Sequence, residues 1–469
     1  MTTLTETPYR WRWLALVAIL AAEIMDLIDG TVVGIAAPSI TGDLGGDGTV
    51  IQWIAAGYTL AFAVGLITGG RLGDLYGRRR MFLFGLLGFV LASVLCGLAT
   101  SPGMLIGSRV LQGLFGAVLI PQGFGILKST FPPRELGAAF GAFGPTIGLA
   151  VVGAPILGGA LIAWDLGGAG WRTVFLINVP IGLAALALAW KVLPESRPAD
   201  GPRPDPVGVL LVTAGLVLLV FPLVQGRELG WPGWILGLLA ASVPVLGVFA
   251  WHQVRRSRAG RSPLVEPALF RSPAFSGGMV VGLVFFAGMT GLILALGLYL
   301  QIGLAFTPLH AGLAQAPWAV GVAIGAALSG AVLGRRFGRP VLQAGAVLMA
   351  LGIGGVILTL AIGPVTGFQL APALLVCGFG MGLFISPFFD IVLAGVTLPM
   401  VGSASGVLNA NQQLGGAAGI AVLGTVFFQL FDAGDPIGAI DAVLWTASGL
   451  VLLAGALTFL LPRRAREEG

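Results

Sequence analysis

Residues 69–79 read GGRLGDLYGRR and residues 330–340 read GAVLGRRFGRP. Gly69, Leu72, Gly73, Gly77 and Arg78 recur as Gly330, Leu333, Gly334, Gly338 and Arg339, an offset of 261 positions. Each stretch is a Gly-rich basic turn between two long apolar runs. The same offset carries residue 14, in the first apolar run, onto residue 275, where the ninth begins. The chain therefore reads as two related halves.

The surrounding composition says where those halves sit. Hydrophobic residues make up 57 % of the 469 positions and charged residues only 10 %, against roughly 25 % charged in an ordinary soluble domain. Mean hydropathy is +0.97. So few charges cannot cover a soluble globule, which excludes a cytosolic enzyme, a disordered chain and a nucleic-acid binder. The class that remains is a polytopic membrane protein. Glycine occupies 75 positions, roughly twice the ordinary ~7 %, and small residues let membrane helices approach closely. Cys96 and Cys377 lie in separate apolar runs and make neither a disulfide framework nor a metal site. His252 and His310 sit at span ends without partner ligands, so no metal or cofactor is expected.

A helix needs about 20 apolar residues to cross the hydrocarbon core. Such stretches lie near 13–37, 50–70, 81–99, 103–125, 138–163, 173–191, 207–224, 232–252, 275–302, 309–332, 341–362, 367–392, 409–430 and 440–461. Fourteen spans put both termini in one compartment. Of the 25 Lys and Arg residues, 22 then fall on the side of the termini, Arg172 and Arg227 on the other, and Arg109 inside a span. By the positive-inside rule both termini are cytoplasmic, and the basic pI of about 9.8 reflects topology rather than a ligand. The repeat divides the chain into an N-terminal six-helix half (1–192), a linker with two extra spans (193–274, spans 207–224 and 232–252) and a C-terminal six-helix half (275–469): an all-α 6+2+6 arrangement. The first apolar run carries Glu23, Asp26 and Asp29 and leads into further spans, so it reads as a retained helix rather than a cleaved signal.

Ionisable side chains inside a bilayer cost roughly 2.5–3.5 kcal/mol on insertion scales and are functional candidates by default. Glu23, Asp26 and Asp29 are spaced three apart and share one helical stripe. Three stacked carboxylates cannot all ionise at low cost in a low dielectric, so the stripe is a place to carry a proton. Arg109 in the fourth span cannot lose its proton and needs an anion or a wet cavity; we expect it to meet part of the first-helix cluster, with Gln112 as polar support. Asp390 fits either a second protonation site or an interfacial charge. Asp74 and Arg78 can pair across one turn, and Gly70, Gly73 and Gly77 allow close approach to neighbouring helices. The fifth span carries Pro145, Gly153, Pro155, Gly158 and Gly159; proline removes a helical hydrogen bond, so this helix can bend between halves. Gln52, Trp53, Tyr58, Gln112, Gln122, Tyr299, Trp318, Asn409, Asn411, Gln412 and Gln413 are candidate cavity contacts.

Taken together, GRLGDLYGRRR (70–80), RVLQG (109–113), AVVGAPILGG (150–159), DGTVVGIAAP (29–38) and WRTVFLINVPIG (171–182) resemble the motifs of the major facilitator superfamily and, within it, of the fourteen-span drug:proton antiporter family. The resemblance covers essentially the whole chain. Gly34 stands where that family usually has Asn, Ala154 where it has Gly, and Arg335 replaces Asp74 in the second turn. The resemblance implies a central cavity lined by the first and fourth helices, a role for Arg109 in proton transfer, and a cytoplasmic latch built from Gly70, Gly73, Asp74, Gly77, Arg78 and Arg79. It implies a monomer in a bacterial inner membrane, with protons and a small molecule as partners.

The expectation for function is therefore a proton-coupled exporter of amphipathic drugs or antibiotics, cations among them, working by alternating access. An exporter of one endogenous metabolite or lipid shares the same machinery and stays open. A membrane-embedded enzyme needs a metal cluster or a nucleophile–base pair, and no H-E-x-x-H or phosphate-loop motif is present.

Overall fold

The computed structural model describes residues 9–132, 135, 143–196, 205–363, 365–394, 396 and 401–463. Among them are fourteen helices of fifteen residues or more. The first six are α1 (Arg12–Leu44), α2 (Gly48–Tyr76), α3 (Arg78–Gly97), α4 (Pro102–Thr130), α5 (Phe143–Trp164) and α6 (Asn178–Val192). Next come α7 (Pro206–Gln225) and α8 (Gly233–Arg258). The last six are α9 (Pro273–Leu298), α10 (Pro308–Leu328), α11 (Arg339–Ile362), α12 (Ala371–Ala394), α13 (Val401–Phe431) and α14 (Pro436–Leu457). Twelve spans in the described residues are long and apolar enough to cross a membrane. α1, which carries Glu23, Asp26 and Asp29, is outside that set, and α5 contributes the shorter apolar stretch Gly153–Trp164.

Local chemistry explains the element ends. α2, α4, α7, α9, α10 and α14 open on Asp47, Ser101, Asp205, Ser272, Thr307 and Asp435, each accepting a first-turn amide, which satisfies donors the helix itself leaves orphaned. Boundaries differ from the sequence expectation, those of α1 and the sixth span among them. α1 does not stop before Pro38 but runs 33 residues to Leu44, because Pro38 removes one amide donor without ending the ladder and Thr41 Oγ1 donates to the Ala37 and Pro38 carbonyls. The sixth span is broken into a single turn, Thr173–Leu176, and α6.

The helices pair in a pattern that occurs twice. In the first six, α4 packs on α2 and α3, α1 on α5 and α6, and α3 on α6; in the last six, α12 packs on α10 and α11, α9 on α13 and α14, and α11 on α14. Two reciprocal seams join the sets, α2 against α13 and α5 against α10, and α7 covers the first seam by touching both α2 and α13. A Cβ on Gly159 would overlap the backbone of Pro308 and Leu309, and one on Gly312 the backbone of Pro155. α5 and α10 therefore meet backbone to backbone, which only glycine permits.

The two repeated turns fold alike. Gly77 (φ 101°) and Gly338 (φ 65°) adopt positive φ, where a side chain is strained. Gly77 donates to Gly73 and Gly338 to Gly334, each at 2.9 Å; Arg78 N–H then reaches Ser196 O (3.0 Å) and Arg339 N–H reaches Arg463 O (2.9 Å). At the opposite end Asp43, near the close of α1, accepts from Arg172 (2.7 Å) and Trp171 (3.0 Å). Those two donors, Arg172 first, hold its carboxyl below the usual carboxylate range.

Candidate functional site

The polar centre of the molecule lies where α1, α4, α3 and α6 converge. α4 turns Arg109 toward α1, and its side chain is 1 % exposed. Its Nη1 donates to Asp29 Oδ2 and, at 2.6 Å, to Gln112 Oε1 one turn along the same helix; its Nε meets the Ile54 carbonyl at 3.3 Å. Gln112 Nε2 donates to Asp29 Oδ1 (2.8 Å) and Ser93 Oγ (2.9 Å), and Asn178 Nδ2 donates to the same Asp29 oxygen at 2.7 Å. The guanidinium sits 4.2 Å from the Tyr58 ring centroid and 5.7 Å from that of Phe175. Asp29 is wholly buried with three donors on its two oxygens, which is what a buried charge requires to be tolerated.

The other two acids of the stripe are placed differently. Asp26 is partly exposed and accepts the Tyr58 hydroxyl. Glu23, one turn further along, is also partly exposed. Tyr58 thus touches both ends of the arrangement, its ring against Arg109 and its hydroxyl on Asp26. The stripe is sorted into one wholly buried carboxylate with three donors and two acids on partly exposed residues.

The remaining sequence candidates scatter. Asp390 is exposed near the end of α12, away from this cluster. Gln52 is buried in the α2–α13 seam, where its Nε2 points at the Ile420 and Ala421 carbonyls. Gln122 ties α4 to the Gly69 carbonyl (2.7 Å), and Trp53 Nε1 meets Gln225 Oε1 (3.0 Å). Tyr299 and Trp318 are buried in the core of the last six helices. On α13, Asn411 is buried and donates to Met279 O (3.0 Å), whereas Asn409, Gln412 and Gln413 are partly exposed. In the turn at 70–79, Arg78 binds Asp74 (3.0 Å) and the Gly125 carbonyl (3.0 Å). The Arg79 amide donates to Glu195 Oε1 (3.1 Å) and its side chain to the Trp190 carbonyl (2.7 Å), while Gly70 and Gly73 lie against Pro121 and Gln122 of α4. Pro155, Gly158 and Gly159 lie along α5, with Gly158 against Val32 of α1 and Gly153 partly exposed; the side chain of Pro145 lies outside the described residues.

Sequence reasoning did not single out Asn178 or Ser93. Asn178 is the lone amide in the sixth apolar run, so the test applied to acids inside spans, extended to amides, would have found it.

The family profile described as the Major Facilitator Superfamily matches residues 19–420. The chain belongs to the major facilitator superfamily. It is accordingly a multi-pass transporter of a bacterial plasma membrane, acting on small molecules, and not an enzyme. Within the superfamily, a probable actinorhodin transporter of Streptomyces coelicolor is 54 % identical over 453 residues, 96 % of this chain and 78 % of that protein. The tetracenomycin C resistance and export protein of Streptomyces glaucescens is 35 % identical, covering 88 % and 76 %. The multidrug efflux pump LfrA of Mycolicibacterium smegmatis is 33 % identical, covering 90 % and 82 %. Among solved structures, an auto-inhibited POT family peptide transporter superposes with a TM-score of 0.68 at 16 % identity, covering 95 % of this chain and 96 % of that one. A bacterial homolog of the human lysosomal transporter Spinster, inward-facing and occupied, also gives 0.68 at 17 % identity, covering 96 % of both. These two likenesses concern the fold.

Proposed function

We propose that this major facilitator is a proton-coupled antiporter of the fourteen-span drug:proton branch, exporting amphipathic antibiotics or drugs by alternating access. The carrying observation is the division of labour along α1. Asp29 is saturated by Arg109, Gln112 and Asn178, so it anchors Arg109 as a fixed charge. Glu23 and Asp26 are partly exposed residues outside that locked set and are the groups that exchange a proton for cargo. Tyr58 links the two, because loss or gain of a proton on Asp26 changes what its hydroxyl bonds and so where its ring lies against Arg109.

In this reading all fourteen long helices span the bilayer as 6+2+6, with the division at 1–192, 193–274 and 275–469, both termini cytoplasmic and the protein a monomer. The twice-used packing pattern and the matched turns at Gly77 and Gly338 support it. So does the split of 22 against 2 basic residues. With that orientation the contacts of Gly48 with Phe428 and of Gly159 with Leu309 lie at the outer ends of the two seams, which favours an inward-facing conformation. The turn at 70–79 then acts as the cytoplasmic latch: its Asp74–Arg78 pair is spent within the first half here and is available to the second half when the cytoplasmic side closes. Asn409, Gln412 and Gln413 are the best placed of the cavity amides. Asp390 remains a candidate for a second proton site.

For cargo, the relative with 54 % identity is named for one antibiotic and the 33 % relative for multidrug efflux. The first favours a second reading, a carrier selective for one endogenous metabolite or lipid. Everted membrane vesicles test both. Ethidium and puromycin should accumulate when a proton gradient is imposed, and accumulation should vanish with a protonophore and in Asp26→Asn. Accumulation that ignores the gradient overturns the coupling; a folded protein that moves neither compound directs the search to a single product.

A further inference from the structure

A cavity of about 350 Å³ lies between the extra helix pair and the last six helices, apart from the acid stripe. Its walls include Leu216 of α7, Phe249 of α8, Val265 and Phe270 of the connecting segment, Met279 of α9 and Leu414 of α13. The size is at the lower end of ligand sites, and the character is nearly all hydrocarbon. Two amides reach it. Gln253 donates to Asp205 (3.0 Å) and accepts from the Leu264 and Val265 amides, while Asn411 donates to Met279 O. Among the described residues, no lining residue carries a charge to hold an anionic head.

The chain next to the wall residues is basic. Arg255 directly follows the lining residue Val254, and Arg271 directly follows Phe270. Both arginines are exposed, as is Arg258 one turn on. The Arg255 guanidinium lies 5.3 Å from the ring centroid of Trp251, itself exposed on α8. An exposed Trp beside basic side chains at a helix end is the signature of headgroup depth. Basic pockets between helices on the cytoplasmic side are where anionic lipid heads are held. The cavity also has a rigid roof. Asp205 caps α7 through the Gly208 amide and accepts from His252 (2.9 Å), while Arg256 holds the Ser262 carbonyl (2.8 Å). These bonds fix the connecting segment against α8.

We infer that this cavity is a lipid site, holding one acyl chain of an anionic phospholipid between α7–α8 and α9–α13 with its phosphate on Arg255 and Arg271. The occupant follows from the combination of a dry slot and a cationic mouth. An uncharged drug would use the slot without the mouth, and a free anion the mouth without the slot. The site deepens the proposed function, since it rests on that orientation for its place in the cytoplasmic leaflet.

The test is native mass spectrometry of the full chain titrated with palmitoyl-oleoyl phosphatidylglycerol or with phosphatidylcholine carrying the same chains. The wild type should retain one phosphatidylglycerol with about tenfold preference over phosphatidylcholine. Arg255→Ala with Arg271→Ala, both at the surface, should bring the preference to within about twofold. Val254→Trp, which fills the slot, should release the retained lipid of either kind. Equal retention of the two lipids by the wild type, or undiminished retention in the filled variant, overturns the site. Retention is read without transport, so a protein that holds the lipid yet exports nothing would count against the antiporter reading alone.

Discussion

At the residue scale the molecule turns on a buried ion pair that is costly to break. Replacing Arg109 with Ala leaves Asp29 buried beside two amides but no cation, and the expected loss is about 3–5 kcal/mol, read as thermal unfolding of the purified protein in detergent. Removing both charges as Asp29→Asn with Arg109→Met should lose less than Arg109→Ala alone; a larger loss would mean that the pair is not the reason for the arrangement. Asp205 offers a pH-dependent counterpart outside the membrane. Burial pushes its carboxyl up, but His252, the Gly208 amide, Gln253 and Arg256 outweigh burial and hold it below the ordinary value. A depressed carboxyl contributes stability that is present above the unfolded-state pKa and lost as pH falls through the folded one. The gap in unfolding temperature between wild type and Asp205→Asn should therefore be constant from pH 6 to 8 and close below about pH 4. Arg109 and the acids were legible in the sequence, because a charge inside an apolar run demands a partner. Asn178 was not, since one amide in such a run carries no comparable demand.

At the element scale the seams between the two sets of helices decide which side is open. Gly159 and Gly312 let α5 and α10 meet backbone to backbone, so Gly159→Val wedges the outer end apart at a cost of about 1–3 kcal/mol. The expected consequence is a shift toward the outward-open form. A cysteine placed at Gln52, in the companion seam, should then react faster with a membrane-impermeant thiol reagent added from outside; an unchanged rate would show that the seam is not the outer gate. Element existence was readable from apolar length alone. Ends were not: α1 carries on through Pro38, and at about 1.5 Å per residue its 33 residues span roughly 50 Å, well beyond the hydrocarbon core. α13 begins at Val401 rather than 409, because its small polar first turns are compatible with helix although they are not apolar.

At the scale of the whole molecule the repeat was legible through its glycines, since a positive-φ turn at Gly77 and Gly338 tolerates little else. The position of α7 and α8 was not legible: an apolar hairpin has no patterned face that names its neighbour, and only the structure places α7 over the α2–α13 seam. Orientation is checked by reporter fusions. Alkaline phosphatase joined at Gly230 should be active and a fluorescent protein joined at the C-terminal end should glow, and the reverse pattern would invert the topology. In the proposed mechanism the Glu23 and Asp26 carboxylates trade a proton for cargo while Asp29 stays locked. Proton release from purified protein in weak buffer, followed as ethidium or puromycin is added, reads that exchange directly. Release is expected from wild type and should be lost in Asp26→Asn or Glu23→Gln, with Arg109 and Asp29 intact in both. Undiminished release from the double variant Glu23→Gln with Asp26→Asn would contradict the exchange.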